Sequence, residues 1–194
     1  MKLNINIILL IIERGNYMKK RNGFTLVELL AVIVVLAIIM IIAIPSVLDV
    51  MNNARKSSFA LYIEKVVRDV QTQYVSDSNS GSIAGSGIFV YDITADLGYN
   101  TTGSYVGYVV VNAQDVDNVK YIIYLHDNNY MIVGHNITDS KMPTKDSSSI
   151  VAYNASTWST GAGNSLLACQ NYESSAGIAS SVSCKNRNGY ILSN

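Results

Sequence analysis

The residues that decide the fold are GFTLVELLAVIVVLAIIMIIAIP, residues 23–45. Between Gly23 and Pro45 the only formal charge is Glu28. At 1.5 Å of rise per residue the run makes a helix of roughly 30 Å, the thickness of the hydrocarbon part of a bilayer. It reads as a membrane span before it reads as a buried globular helix. The basic group Lys19, Lys20 and Arg21 lies just before it, which predicts a cytoplasmic N-terminal end and a translocated polar remainder.

Glu28 does not fit a plain anchor. Insertion scales put an Asp at the centre of a span at roughly 2.5 to 3.5 kcal/mol, so an intramembrane carboxylate normally marks a partner. The nearest preceding base is Arg21, too far back along the helix to serve. A cut between Gly23 and Phe24 would create an α-amino group four residues before Glu28, placing an opposite charge at the same depth. Proteolysis followed by self-association solves the problem that GFTLVE poses.

The run KKRNGFTLVELLAVIVVLAII, with Ile44-Pro45 after it, resembles the class III signal of type IV pilins and pseudopilins. That resemblance implies a short basic leader ending at Gly23, removal of the leader by a prepilin peptidase, and N-methylation of Phe24. It places Glu28 at the fifth position of the mature chain and Pro45 at the proline that kinks the long N-terminal helix in many pilins. It further implies an α+β type IV pilin fold, a long kinked helix with an apolar and an amphipathic half packed on a small antiparallel sheet. The expected divisions are a leader at residues 1–23, a transmembrane and polymerisation half of the helix at 24–51, and at 52–194 the amphipathic half with the globular head.

Residues 1–17 hold an apolar piece, residues 5–12, too short to span and followed by Glu13. It either extends the leader or precedes the natural start. Met18 opens MKKRNG, a six-residue leader of the form usual in the family, and Glu13-Arg14-Gly15 can be encoded by purine-rich codons resembling a ribosome-binding site.

With 194 residues and 49% hydrophobic content, the chain has room for one domain with a sizeable core beyond the span. Formal net charge is zero, but the bases are concentrated before Phe24. From Phe24 onward nine bases face thirteen acids, which argues against a generally basic nucleic-acid-binding face.

Beyond Pro45, Val47, Met51 and Ala54, then Phe59, Ile63, Val66, Val70 and Tyr74, recur at helical spacing, with most charges elsewhere. Residues 24–75 are therefore predicted as one long helix with a kink at Pro45. Residues 76–104 are rich in Ser, Gly, Asp and Asn and read as a loop tacked down by Ile88, Phe89 and Leu97. Strands are expected at 105–111, 119–126 and 130–135, the last two joined as a hairpin by Asp127-Asn128-Asn129. A fourth is expected near 148–153 and a short one at 189–192. Residues 119–125 are apolar on both faces, so one face needs the helix and the other the loop, the C-terminal segment or a neighbouring subunit.

Few residues suggest chemistry. His126 and His135 read as surface or sheet-edge residues, and no phosphate loop, zinc spacing or serine-nucleophile elbow occurs. Asp115 with Asp117, and Asp92 with Asp96, lack the arrangement of a calcium loop and read as solvated turns. Asn100-Thr101-Thr102, Asn136-Ile137-Thr138 and Asn154-Ala155-Ser156 match a glycosylation pattern common by chance in such a chain. No catalytic site and no cofactor is expected. In a head outside the membrane, Cys169 and Cys184 read as a disulfide, with free thiols or a metal pair as the alternatives. The resemblance points the same way, although the family's usual span is wider.

The expected function is a structural subunit, a major pilin, of a type IV pilus used for adhesion, motility or aggregation. Gly23 and Phe24 are the processing residues; Glu28, Leu26, Leu29, Leu30, Val34 and Pro45 are the assembly residues. Implied partners are copies of the same chain, the prepilin peptidase, the pilus assembly platform, minor pilins and the cytoplasmic membrane before export to an extracellular filament. A minor pilin or a secretion or competence pseudopilin is the alternative within the class. A single-pass membrane-anchored binding protein is the alternative outside it, and predicts neither cleavage at Gly23 nor a use for Glu28.

Overall fold

The computed structural model describes residues 23–83, 85–99, 105–137, 142–178 and 183–192. Met18, the leader positions Lys19 to Asn22 and the motif at Asn100 lie outside these residues. The chain divides into two units, residues 1–47 and 48–194.

The first element, α1, is Leu26–Asn79, and it is helical through Pro45. Its apolar residues up to Ile44 are exposed, as expected of a helix without a partner on any side. Within the second unit the pattern changes: Phe59, Ala60, Ile63, Val66, Val67 and Val70 are buried, one stripe at three- and four-residue spacing. The helix ends where Gly81, at φ 75°, takes up the left-handed conformation that favours glycine.

Six strands form one sheet: β1 Ile88–Asp92, β2 Val106–Asn112, β3 Lys120–His126, β4 Tyr130–Ile137, β5 Val151–Ala152 and β6 Cys184–Asn186. Their order is β5-β4-β3-β2-β1-β6. Every neighbouring pair is antiparallel except β1 with β6. The β3–β4 turn follows from its residues. Asn128 takes φ 65°, a conformation Asn tolerates, and the Asp127 carboxylate accepts from the backbone N–H groups of Asn129 and Tyr130 at 2.9 and 2.6 Å. Pairing then shifts between Ile123 and Leu125, where Val133 and Gly134 of β4 together oppose Tyr124, a bulge in which Gly134 sits at φ 64°.

Strand alternation sorts the side chains into two cores. Phe89, Tyr91, Val109, Val111, Ile123 and Leu125 pack with the buried stripe of α1. Ile88, Val90, Val110, Ile122 and Tyr124 point the other way. They meet two further helices, α2 (Ala155–Ala162) and α3 (Ser165–Ala176), which contribute Trp158, Ala162, Ala168, Cys169 and Tyr172. Burying each large apolar side chain contributes about 1.5–3 kcal/mol, so covering both faces is what makes so apolar a sheet stable in water.

Two expectations need correction, and one stretch for which no element was expected forms two helices. Residues 88–92 are not a loop but strand β1, buried on both sides and lacking the polar alternation that marks a half-exposed strand. The polar tail after Asn154 forms α2 and α3, whose starts are capped by Asn154 and Asn164 accepting from the N–H groups of Thr157 and Leu167. The final strand is Cys184–Asn186, with residue 191 making only an isolated bridge to Lys185.

Candidate functional site

The site that the sequence singles out is the start of α1. Thr25 precedes the helix and Glu28 stands in its first turn. The Thr25 N–H donates to Glu28 Oε2 at 2.8 Å and the Thr25 hydroxyl donates to the same oxygen at 2.9 Å. In return the Glu28 N–H donates to Thr25 Oγ1 at 3.3 Å. This reciprocal pair is a capping box: each side chain satisfies a backbone donor that the first helical turn leaves without a partner. Glu28 is therefore held in a fixed geometry by its own chain, and no bond to its Oε1 occurs among the described residues.

Around this cap the side chains are uncovered. Phe24 is 89% exposed, and Leu26, Leu29, Leu30 and Val34 are all exposed. A Cβ added at Gly23 would meet nothing within 4 Å, so the peptide bond before Phe24 is unobstructed by the described residues. α1 is long and apolar enough to cross a membrane, and none of its most apolar window is buried. The sequence reading names Glu28 and the apolar face as assembly residues. It missed Thr25, although T-x-x-E before an apolar run is the signature of the cap.

The model of the prokaryotic N-terminal methylation motif matches residues 18–44. The chain carries a prepilin-type signal. That motif is consistent with the type IV pilin family, and a long N-terminal helix packed through its second half on an open, mainly antiparallel sheet is that family's architecture. Both match a structural subunit, not a catalytic protein. Comparison with curated proteins and with solved structures found no match.

Elsewhere in this prepilin-type chain the residues weighed from sequence serve the fold. Cys169 on α3 and Cys184 on β6 are joined by a disulfide. A carboxylate oxygen of Glu173 comes within 4.8 Å of both sulfurs, so these three residues are the described group with metal-like spacing. With the sulfurs bonded to each other, neither offers the thiolate a metal needs. Asp115 accepts from the Asp117 N–H, and Asp92 accepts from the N–H groups of Thr94 and Ala95, which occupies these carboxylates in turns.

His126 departs from the surface role expected of it. It is buried, stacked on Tyr153 at 4.5 Å between ring centroids and met edge-on by Trp158 at 4.4 Å. Its Nδ1 accepts the Asn128 N–H, and burial lowers its pKa against the opposing pull of Asp127.

One polar cluster escaped the sequence reading altogether. Asp77, buried near the end of α1, accepts from Gln73, from the Tyr91 hydroxyl and from Arg187. Burial, followed by the Asp77 charge, pushes the Tyr91 phenol up, so it remains a donor. No local pattern links positions so far apart in the chain.

Proposed function

We propose that the chain is a structural subunit of a type IV pilus, most simply its major pilin. The prepilin peptidase cuts between Gly23 and Phe24, and the new amine of Phe24 is methylated. Until assembly the apolar half of the helix, residues 24–51, holds the subunit in the cytoplasmic membrane with its N-terminus on the cytoplasmic side. Residues 52–194 form the exported head. On the assembly platform, copies of the chain then bury Leu26, Leu29, Leu30, Val34 and their neighbours against one another, displaying the heads on an extracellular filament for adhesion, motility or aggregation. Pro45, within the apolar half, is where the helix has a backbone hydrogen bond missing and can bend.

The observation that carries this reading is the combination at the start of α1: a methylation motif over residues 18–44 followed by an apolar helix none of whose most apolar window is buried. Such a surface needs either lipid or copies of itself. Glu28 sets the register. Its cap engages Oε2, and Oε1 is the acceptor for the Phe24 amine of a neighbour displaced along the filament, so charge meets charge in only one alignment.

Mass spectrometry of filaments sheared from cells tests the proposal. A major pilin is expected as the most abundant component, beginning at a methylated Phe24. Filaments lacking the chain, or containing it only in trace amounts, would remove the major-pilin reading. Recovery of uncut chain from membranes alone would leave a plain anchor.

A further inference from the structure

Glu173 has no use in the filament reading and no role in packing that an apolar residue could not fill better. It lies one turn after Cys169 on α3, is 8% exposed, and its Oε1 is buried without a hydrogen-bond partner among the described residues. A buried carboxyl left unpaired is destabilising, so its position asks for a chemical reason. Cys169 and Cys184 are 0% and 4% exposed, and both sulfurs lie within 4.8 Å of the carboxylate oxygen. Of the groups at the site, this pair is the one whose proton content changes when the bond between them forms: two thiols carry two protons and a disulfide carries none.

We propose that Glu173 accepts the proton of Cys169 as the disulfide with Cys184 closes. The oxidant is an external disulfide, a thiol oxidoreductase in its disulfide form or oxidised glutathione. Cys184 loses its proton to solvent and attacks as its thiolate, forming a mixed disulfide with the oxidant while one thiolate of the oxidant leaves. The Cys169 thiol then passes its proton to the Glu173 carboxylate, and the resulting thiolate attacks the sulfur of Cys184. The Cys169–Cys184 bond forms while the bond to the oxidant breaks, and the oxidant departs as its second thiolate with the electron pair. Two electrons have moved to the oxidant, and Glu173 ends as a neutral acid. Because Cys169 and Glu173 are four residues apart, α3 brings them together by itself, before β6 docks.

The surroundings suit a neutral product. Burial raises the Glu173 pKa, and it is the sole cause acting on it. Among the elements packed on α3, α2 carries no titratable side chain, and β1 offers Tyr91, whose hydroxyl donates to Asp77 on the other face of the sheet, and Asp92, bound in its turn to Thr94 and Ala95. β2 offers the Tyr108 phenol, β4 offers Tyr130 and His135, and β6 offers Lys185, whose ammonium lies over the Phe89 ring. On α3 itself Tyr172 accepts from Asn112.

The test follows closure of the reduced full chain in detergent by oxidised glutathione, quenched with iodoacetamide from about pH 4.5 to 9. For the native chain the logarithm of the rate should rise through the carboxyl range, level off, and rise again as thiols ionise by themselves near the ordinary cysteine value of about 8.5. Glu173→Gln should lose the level stretch, close at least about tenfold more slowly near pH 6, and converge with the native chain at the alkaline end. Glu173→Asp should keep the level stretch at a reduced rate. A native profile that climbs steadily with thiol ionisation alone overturns the proposal without any variant. So does a Gln variant that matches the native chain, or one slower by the same factor at every pH, which would mean a structural role.

Discussion

The Arg187 guanidinium closes on the Asp77 carboxylate through Nε at 3.0 Å and Nη2 at 3.3 Å, joining residues 110 positions apart. Its Nη1 also donates to the Asp96 carbonyl at 2.8 Å. One side chain thereby ties the C-terminal segment to the end of α1 and to the loop after β1. Arg187→Ala would strand a buried carboxylate, and the expected loss is about 2–3 kcal/mol, tempered because Arg187 is itself part exposed. Urea unfolding of the full chain in detergent measures it. Adding Asp77→Asn should recover part of that loss, and a double variant no better than the single one would show that the pairing is not the source.

At the start of α1 the cap and the charge can be separated. Glu28→Ala should leave membrane insertion and the head intact while severely reducing sheared filaments. Thr25→Val removes only the hydroxyl and keeps the backbone donor, so a loss near the usual cap value of about 1 kcal/mol, or roughly fivefold in filament yield, is expected. Precursor mobility must be read in the same cells. Fully cut Glu28→Ala assembling at the native level would refute the register role, and an uncut one would place Glu28 in peptidase recognition.

Gly107 on β2 has no room for a side chain. A Cβ there would lie 2.1 Å from the Tyr124 carbonyl oxygen and 2.9 Å from the Leu125 Cα, both backbone atoms of β3. Gly107→Ala must force the two strands apart, and a loss of at least about 3 kcal/mol is expected, at the upper end for overpacking. Gly134→Ala, which strains only a positive φ, should lose about 1–2 kcal/mol. Thermal melts of the two variants give the order.

His126 makes stability depend on pH. Its folded pKa is lowered by burial, so between that value and the unfolded value near 6.5 the unfolded chain binds more protons. The contribution is fully present above the unfolded value and is lost as pH falls through the window below it. His126→Phe should flatten the decline in melting temperature between about pH 7.5 and 5.5. His135, also lowered by burial, should leave a residual slope, and an unchanged slope would place the effect elsewhere.

The long helix, its switch from uncovered to buried, and the β3–β4 hairpin could be read from sequence because each is written locally. Phe59, Ile63, Val66 and Val70 recur at the helical period, and Asp127-Asn128-Asn129 supplies a turn residue that tolerates a positive φ. β1 was hidden because Phe89 and Tyr91 face one core while Ile88 and Val90 face the other, leaving no alternation to detect. α2 was hidden by its Ser, Thr and Gly content, weak helix formers that tertiary packing of Trp158 and Ala162 overrides. At the site, Glu28 announced itself as a lone charge in an apolar run. Thr25 caps the helix through a three-residue spacing that was present but unread, whereas Arg187 reaches Asp77 through a contact that only the folded chain creates.

The sheet's two borders carry a consequence for crowding. On the proposed filament, the helix would hold heads at local concentrations where an open strand templates pairing with its neighbour. β5 offers two residues and β6 three. Each is too short by itself to seed a ladder, but β5 covers only Tyr130 and Met131, so residues 132–137 of β4 have no strand partner on that side among the described residues. In the proposed filament, that open stretch of β4 is where backbone pairing between crowded heads would begin, and what covers it decides whether heads stay separate.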